Sequence, residues 1–215
     1  MDQSVLVERI TQLVIEELKN NNKVSLDNLF QRAIEEKEAE IGEGKDEVVI
    51  GISPTFNQEV KQTLSGANHK DVIKEIVAGI EEEGLKARVI KVFTSADVAF
   101  IGKEAATLSG SGIGIGLQAK GTAVIHQKDL YPLSNLELFP QAPLIDLKTY
   151  RNIGKNAAKY AKLDNPIPIR VKSDCMSRPK FQVKAALFHI KDTEKVVRGA
   201  KSIAIPLEEL IWNIH

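Results

Sequence analysis

The segment 109–116, Ser-Gly-Ser-Gly-Ile-Gly-Ile-Gly, is the first place where this sequence could bind a nucleotide. The dinucleotide-binding pattern G-x-G-x-x-G fails here, because Ile115 or Leu117 stands where the third glycine is needed. A Walker A phosphate loop also fails, because Lys120 precedes Gly121 instead of following the last glycine. Two interpretations remain. The alternating glycines let a ligand or partner approach one face of a strand, or they let a helix of the same chain pack there.

The histidines and the cysteine show no catalytic or metal-binding pattern. No pair of histidines has a spacing typical of a zinc site, and no nucleophile elbow is present. We interpret His189, in a predicted apolar strand, as a packed core residue. Cys175 has no histidine partner nearby in the sequence. Residue types and spacing therefore predict neither catalytic nor metal-ligating residues in this chain.

Two groups of cations could bind an anionic ligand or partner. Arg178-Pro179-Lys180, in a predicted loop before the last strand, is the better anion-binding candidate, because arginine presents a bidentate fork. The second group, called the basic stripe below, is either a solvated helix face or a docking face for an acidic partner or phosphate. The basic stripe has helical spacing and consists of Lys148, Arg151, Lys155, Lys159 and Lys162.

Alternating strands and helices must position these residues. Nearly continuous apolar strands between helices predict a three-layer α/β domain with a largely parallel sheet. Gly84 is the predicted C-terminal cap of the helix 69–83, and Asp146 is the predicted N-cap of the next helix. The predicted helices are 69–83 and the segment that begins at Asp146. The predicted strands are 48–54, 87–93, 98–102, 112–118, 122–127 and 182–191.

The predicted domain organisation has four parts. Residues 1–20 form an amphipathic helix, 21–46 a charged linker, 47–200 the α/β domain and 201–215 a C-terminal tail. The N-terminal helix either folds back on the domain or, as we predict, serves as a docking peptide. Its apolar stripe consists of Leu6, Ile10, Leu13, Val14 and Leu18.

Composition narrows the classes of function. The 215 residues include 29 Lys and Arg against 29 Asp and Glu, so the net charge is zero and argues against a nucleic-acid binder. No apolar run approaches the roughly 20 residues of a membrane span. One cysteine suits a reducing cytosol, and the beginning of the chain lacks the features of a secretory signal. We therefore predict a cytoplasmic protein without nucleic-acid or membrane partners.

Four long segments resemble the medium (β) subunit of coenzyme-B12-dependent diol and glycerol dehydratases. They lie within 47–198 and are 69–102, 108–143, 150–162 and 177–191. The resemblance implies a Rossmann-like α/β domain with a mixed, mostly parallel sheet. It also implies an assembly with two copies each of a large, a medium and a small subunit. The medium subunit would be a non-catalytic part of this hydro-lyase, which converts a 1,2-diol to an aldehyde and water by radical chemistry.

The resemblance further implies that adenosylcobalamin lies between this chain and the large subunit, which carries catalysis. Asp97 matches an acceptor for corrin amides, and Lys120 and Arg178 match cations near the phosphate and amides of the nucleotide loop. The loop that lines the lower face of the corrin is matched by Asn135, Pro140 and Gln141. The B12-mutase motif D-x-H-x-x-G, which replaces the lower base of cobalamin by histidine, is absent from the sequence.

The alternative is the small subunit of a dehydratase-reactivating factor, a chaperone-like protein that exchanges cobalamin and shares the fold. That protein is shorter and lacks the N-terminal helix and the segments matching 118–122 and 177–180. Residues 1–20 also resemble the extension that directs medium subunits into bacterial microcompartments. The resemblance therefore implies a location inside a microcompartment, with shell proteins and the reactivating factor as further partners.

Overall fold

The computed structural model describes Thr11 and residues 37–211. The chain divides into two units, 1–38 and 39–215, and the fold below is that of the second unit. Apart from Thr11, the predicted helix 1–20 lies outside the described residues, as do residues 21–36 of the predicted linker and residues 212–215 of the predicted tail.

The second unit alternates strands and helices at its beginning and ends on a long helix, a short strand and a short helix. The strands are β1 (Glu47–Ile52), β2 (Lys86–Lys91), β3 (Ile113–Leu117), β4 (Ala123–Gln127), β5 (Glu137–Phe139) and β6 (Ile203–Ile205). The α-helices are α1 (His69–Glu82), α2 (Val98–Leu108), α3 (Leu147–Ala161), α4 (Ser177–Glu194) and α5 (Leu207–Ile211), and Ala142–Leu144 form a 3₁₀ turn.

These strands form one mixed sheet with the order β5-β4-β3-β1-β2-β6. β1 pairs in parallel with β2 and β3, and the other three pairs within the described residues are antiparallel. The α/β class is thus confirmed, but the prediction of a mostly parallel sheet is wrong. Residues 118–122 form a turn between β3 and β4 that is too short for the crossover that parallel neighbours need.

Helices cover both faces of the sheet and make three layers. Val48, Ile50 and Ile52 of β1 are buried in a cluster with apolar residues of α1 and α3. Val49, between them in the sequence, is buried in a second cluster with Ile101 of α2. Successive residues of a strand point to opposite faces, so β1 must be apolar throughout to serve both clusters.

The alternating glycines of β3 hold a helix of the same chain. A Cβ atom on Gly114 would lie 2.3 Å from the backbone nitrogen of Ala106, and one on Gly116 would lie 2.5 Å from the carbonyl oxygen of Val98. Both neighbours belong to α2. The internal-helix interpretation is therefore confirmed, and the ligand interpretation is wrong for this face of β3.

α1 and α3 cross on the opposite face of the sheet at two glycines. A Cβ atom on Gly79 would lie 2.0 Å from the carbonyl oxygen of Arg151, and one on Gly154 would lie 2.2 Å from that of Ile76. The two backbones therefore touch at this crossing, which leaves no room for a side chain at either glycine.

The basic stripe of α3 is paired with acidic residues in the middle of α1, at its end and just beyond it. Arg151 binds Glu75 at 2.8 Å and also Glu82, and Lys155 binds Glu82 at 2.6 Å. Lys159 and Lys162 both pair with Glu83, at 3.5 and 2.9 Å. The hydrogen bond from Arg151 is the main cause that lowers the pKa of Glu82 to about 2. Four members of the stripe therefore join two helices of the same chain, which neither interpretation from the sequence anticipated.

Two predicted strands are helical in the structure. Residues 98–102 begin α2, and residues 182–191 lie within α4. His189 is exposed on α4, so its interpretation as a core residue is wrong. Arg178 lies in the first turn of α4 and not in a loop. Part of the predicted tail also belongs to the sheet, because Ile203–Ile205 form β6 and pair with β2.

Candidate functional site

The candidate site lies at the edge of the sheet where β1, β2, β3 and β5 end, called the carboxyl edge below. β1 and β3 are neighbours, and α1 and α2 leave the carboxyl edge toward opposite faces of the sheet. In open α/β sheets, ligands bind in the crevice outside such a switch point. Lys120 follows β3, Asp97 follows β2, and Pro140 and Gln141 follow β5.

The loop after β3 fixes the backbone of Lys120 from both sides. The carbonyl oxygen of Lys120 accepts a hydrogen bond from the Leu64 amide at 2.9 Å. The preceding amide of Ala119 donates to Ser53 Oγ at 2.9 Å. Gly121 has φ +102°, and its carbonyl oxygen accepts a hydrogen bond from the buried hydroxyl of Tyr150 at 2.7 Å. Glycine is needed here, since other residues rarely adopt this backbone conformation.

A buried histidine joins this loop to the loop after β1. His69 Nδ1 accepts a hydrogen bond from the Asn57 amide at 2.9 Å, and its Nε2 donates to the carbonyl oxygen of Ala119 at 2.8 Å. The imidazole also stacks on Phe56, with 3.8 Å between ring centroids. Burial lowers the pKa of His69 to about 4, so this side chain is neutral near pH 7. Its role is to hold the loops that carry the site.

Asp97 is exposed to solvent and also caps the N-terminus of α2. Its Oδ1 accepts a hydrogen bond from the Ala99 amide at 2.8 Å and so caps the N-terminus of α2. The residue is exposed to solvent. The cap fixes the carboxylate at the end of β2 while leaving the residue within reach of a ligand.

Two cations and two carboxylates interact at the carboxyl edge. Burial is the main cause that lowers the pKa of Lys120 from its usual value, and the nearby cation of Arg178 acts in the same direction. The carboxylates of Asp97 and Asp192 oppose that shift. The structure thus brings together Asp97, Lys120 and Arg178, which are distant in the sequence, and adds Asp192. We call these four residues the charge cluster.

α4 runs along the carboxyl edge and is attached near its two ends. At its N-terminal end, Ser177 Oγ donates to Gln141 Oε1 at 3.4 Å, just after β5. At its C-terminal end, Asp192 accepts hydrogen bonds from Thr55, just after β1. Ser177 and Asp192 are the two buried residues of this 18-residue helix.

The middle of α4 leaves apolar side chains exposed. Val183, Leu187 and Ile190 are 74%, 54% and 51% exposed, and their spacing places them on one face of the helix. Apolar side chains grouped in this way on a protein surface are typical of an interaction surface.

Five of the six residues implied by the resemblance therefore lie at the carboxyl edge. The sixth, Asn135, precedes β5 and so lies at the opposite end of that strand from Pro140 and Gln141. Sequence reasoning missed Thr55 and Asp192. The available signal was an acidic residue in the last turn of a helix, where the helix dipole disfavours it, but this segment was predicted to be a strand.

The part of the chain that the structure describes has neither a cluster of metal ligands nor a membrane-spanning helix. No three His, Cys, Asp or Glu side chains there come together as a metal site. No helix there is long and apolar enough to span a bilayer. Cys175 is a free thiol and is exposed just before α4.

The chain is similar to a protein family and to several solved structures, among them a reactivase and a reactivating factor. A family model described as dehydratase medium subunit matches residues 53–166. A glycerol dehydratase reactivase is 22% identical with a TM-score of 0.46, and the match covers 56% of this chain and 95% of that one. A diol dehydratase-reactivating factor complexed with ADP and Mg²⁺ is 25% identical with a TM-score of 0.41, and the match covers 57% of this chain and 94% of that one.

Proposed function

This chain belongs to the dehydratase medium subunit family, and from this premise we propose that it is the medium subunit of a coenzyme-B12-dependent diol or glycerol dehydratase. In that role it forms one side of an adenosylcobalamin site, and the large subunit forms the other side and carries catalysis. The observation that carries the proposal is the placement of the charge cluster, with Asp97, Lys120 and Arg178, at the carboxyl edge of the sheet.

The residues at the carboxyl edge fit the chemistry of cobalamin. Its nucleotide-loop phosphate needs cations, which Lys120 and Arg178 supply. Its corrin amides need acceptors and donors, which Asp97 and Gln141 supply. The two carboxylates balance the two cations, so the site suits a large ligand with several polar groups and little net charge. We assign Pro140 to the lining of the corrin, and the same role for Asn135 stays a prediction from the resemblance.

The medium subunit acts by binding and orientation in this proposal. When bound, adenosylcobalamin supplies the radical that starts the conversion of a 1,2-diol to an aldehyde and water. Lys120 and Arg178 hold the phosphate, Asp97 and Gln141 hold the ring amides, and the rigid loop after β3 fixes the position of Lys120. In this proposal the large subunit carries the chemical steps, and the described residues of this chain bind and orient the cofactor.

Assembly with other dehydratase subunits agrees with the exposed surface of α4. The apolar face of Val183, Leu187 and Ile190 would be unfavourable on a protein that works alone, because water contacts it. We propose that a partner subunit covers it in the complex.

We expect the purified chain to show no dehydratase activity and to restore activity when it is added to the large and small subunits with adenosylcobalamin. The test is aldehyde formation from propane-1,2-diol and from glycerol, with and without this chain. A complex of large and small subunits that is fully active without the chain would contradict the proposal. So would turnover by the chain alone.

Location in a microcompartment and docking to shell proteins through residues 1–20 stay predictions from the resemblance, because those residues lie outside the described part of the chain, Thr11 excepted.

A further inference from the structure

Asp192 has an unusual environment for a carboxylate. It is 1% exposed, and its Oδ1 accepts hydrogen bonds from the Thr55 amide at 3.1 Å and from Thr55 Oγ1 at 2.5 Å. Thr55 is itself 1% exposed. A single carboxylate oxygen therefore joins the last turn of α4 to the loop after β1, within a site closed to water.

This arrangement works against local preferences. A carboxylate in the last turn of a helix faces the negative end of the helix dipole. Its burial adds a desolvation cost unless hydrogen bonds compensate for it. Thr55 supplies such bonds from both its backbone and its side chain, and a neutral apolar residue would have met neither cost. The position of Asp192 is therefore better explained by what it holds in place than by helix formation.

What Asp192 holds is a helix with few buried residues of its own. Just beyond this helix, Lys195 pairs with Glu59 at 3.1 Å, and the Val197 amide donates to the carbonyl oxygen of Phe93 at 2.9 Å. Ser177 and Asp192 are the two buried residues of α4, and the bond from Ser177 to Gln141 is long, at 3.4 Å. Arg178 lies next to Ser177 in the first turn of the same helix. An α-helix transmits a displacement of one end to the other, because its backbone hydrogen bonds keep it stiff.

We propose that Asp192 is a positioning residue for the cobalamin site: together with Thr55 it fixes α4 along the carboxyl edge and thereby places Arg178. This inference rests on the proposed function, because the ligand that Arg178 holds is the one proposed there. Asp192 itself needs no contact with that ligand.

The first experiment measures hydrogen exchange of the full-length chain without any ligand. Asp192→Ala removes the acceptor, and Asp192→Asn keeps an oxygen for both Thr55 donors. Glu194→Ala is the matched control, because Glu194 is exposed in the same last turn. We expect the amides of α4 to exchange about tenfold faster in Asp192→Ala, with those of α1 unchanged. We expect Asp192→Asn to restore most of the protection and Glu194→Ala to leave it unchanged.

The second experiment measures adenosylcobalamin affinity of the assembled complex in a double-mutant cycle. We expect Asp192→Ala to weaken binding about tenfold in the wild-type background and to add little in the Arg178→Ala background, since both changes then remove the same contact. Effects that simply multiply would overturn the inference, because Asp192 would then act independently of Arg178.

The two proposals fail in different ways. Normal cobalamin binding by Asp192→Ala, together with weakened binding by Arg178→Ala, overturns the positioning role alone. Normal binding by Arg178→Ala overturns both the positioning role and the proposed contact of Arg178 with cobalamin. Unchanged exchange of α4 in Asp192→Ala overturns the positioning role whatever the ligand.

Discussion

Replacing Gly154 by alanine is expected to lower the free energy of unfolding by about 3 kcal/mol or more, since the new methyl group cannot fit without moving a helix. Its Cβ would lie 2.2 Å from the carbonyl oxygen of Ile76, which is backbone and cannot rotate away. Alanine is the better helix former by about 1 kcal/mol, so helix propensity alone predicts the opposite sign. Urea unfolding of the full-length chain measures the difference.

Asn152→Ala is the control for this variant. Asn152 is only partly buried on the same helix, so the substitution changes helix propensity with little effect on the crossing of α1 and α3. We expect its stability to equal or slightly exceed that of the wild type. A Gly154→Ala protein as stable as this control would contradict the close contact at the crossing.

Acidification is expected to destabilise the protein through His69. Because burial lowers its pKa to about 4, against about 6.5 in the unfolded chain, the unfolded state binds a proton first as the pH falls. The contribution of His69 to stability is therefore complete above pH 6.5 and is lost between pH 6.5 and 4. At pH 5 the expected loss is about 2 kcal/mol, and it reaches about 3 kcal/mol below pH 4.

Unfolding measured at pH 7 and pH 5 tests this contribution. His69→Gln is expected to be less stable than the wild type at pH 7 but to lose less stability between the two pH values, because glutamine does not titrate. His189→Gln, at an exposed position of α4, should lose as much as the wild type. An equal loss in His69→Gln and the wild type would show that His69 is not the group responsible.

The sequence predicted the buried elements well because burial leaves a periodic pattern. β1, α1, β2, β3, β4 and α3 all occur where apolar spacing and caps indicated them. Asp146 caps α3 by accepting hydrogen bonds from the amide and the hydroxyl of Thr149, and Gly84 has φ +80° after α1, as expected from their residue types. In these segments local preference and tertiary packing agree.

The wrong predictions of secondary structure concern segments whose local sequence pattern does not reflect how they pack in the fold. Residues 98–102 are an apolar run short enough for a strand, and only the capping carboxylate of Asp97 distinguishes them as a helix start. α4 has no continuous buried face, so its apolar residues do not mark a helix that packs on the core. β5 and β6 have three residues each, too few to show a period.

The candidate site could not be predicted from the spacing of residues in the sequence. Asp97, Lys120 and Arg178 follow different strands or begin a helix, and only the order of strands in the sheet brings them to one edge. The resemblance identified them residue by residue instead. The glycines of β3 were compatible with a ligand site in the sequence, but in the structure α2 packs against them.

Cobalamin binding by site variants shows directly whether the carboxyl edge is the cobalamin site. Equilibrium dialysis of adenosylcobalamin against the assembled complex compares the wild type with Lys120→Ala and Arg178→Ala. Lys86→Ala is the control, because this exposed lysine begins β2 at the opposite edge of the sheet. Loss of one charge-assisted hydrogen bond costs about 1.5–3 kcal/mol, so each site variant should bind roughly ten- to hundredfold more weakly. The control should bind like the wild type. Wild-type affinity in both site variants would contradict the assignment of the carboxyl edge as the cobalamin site.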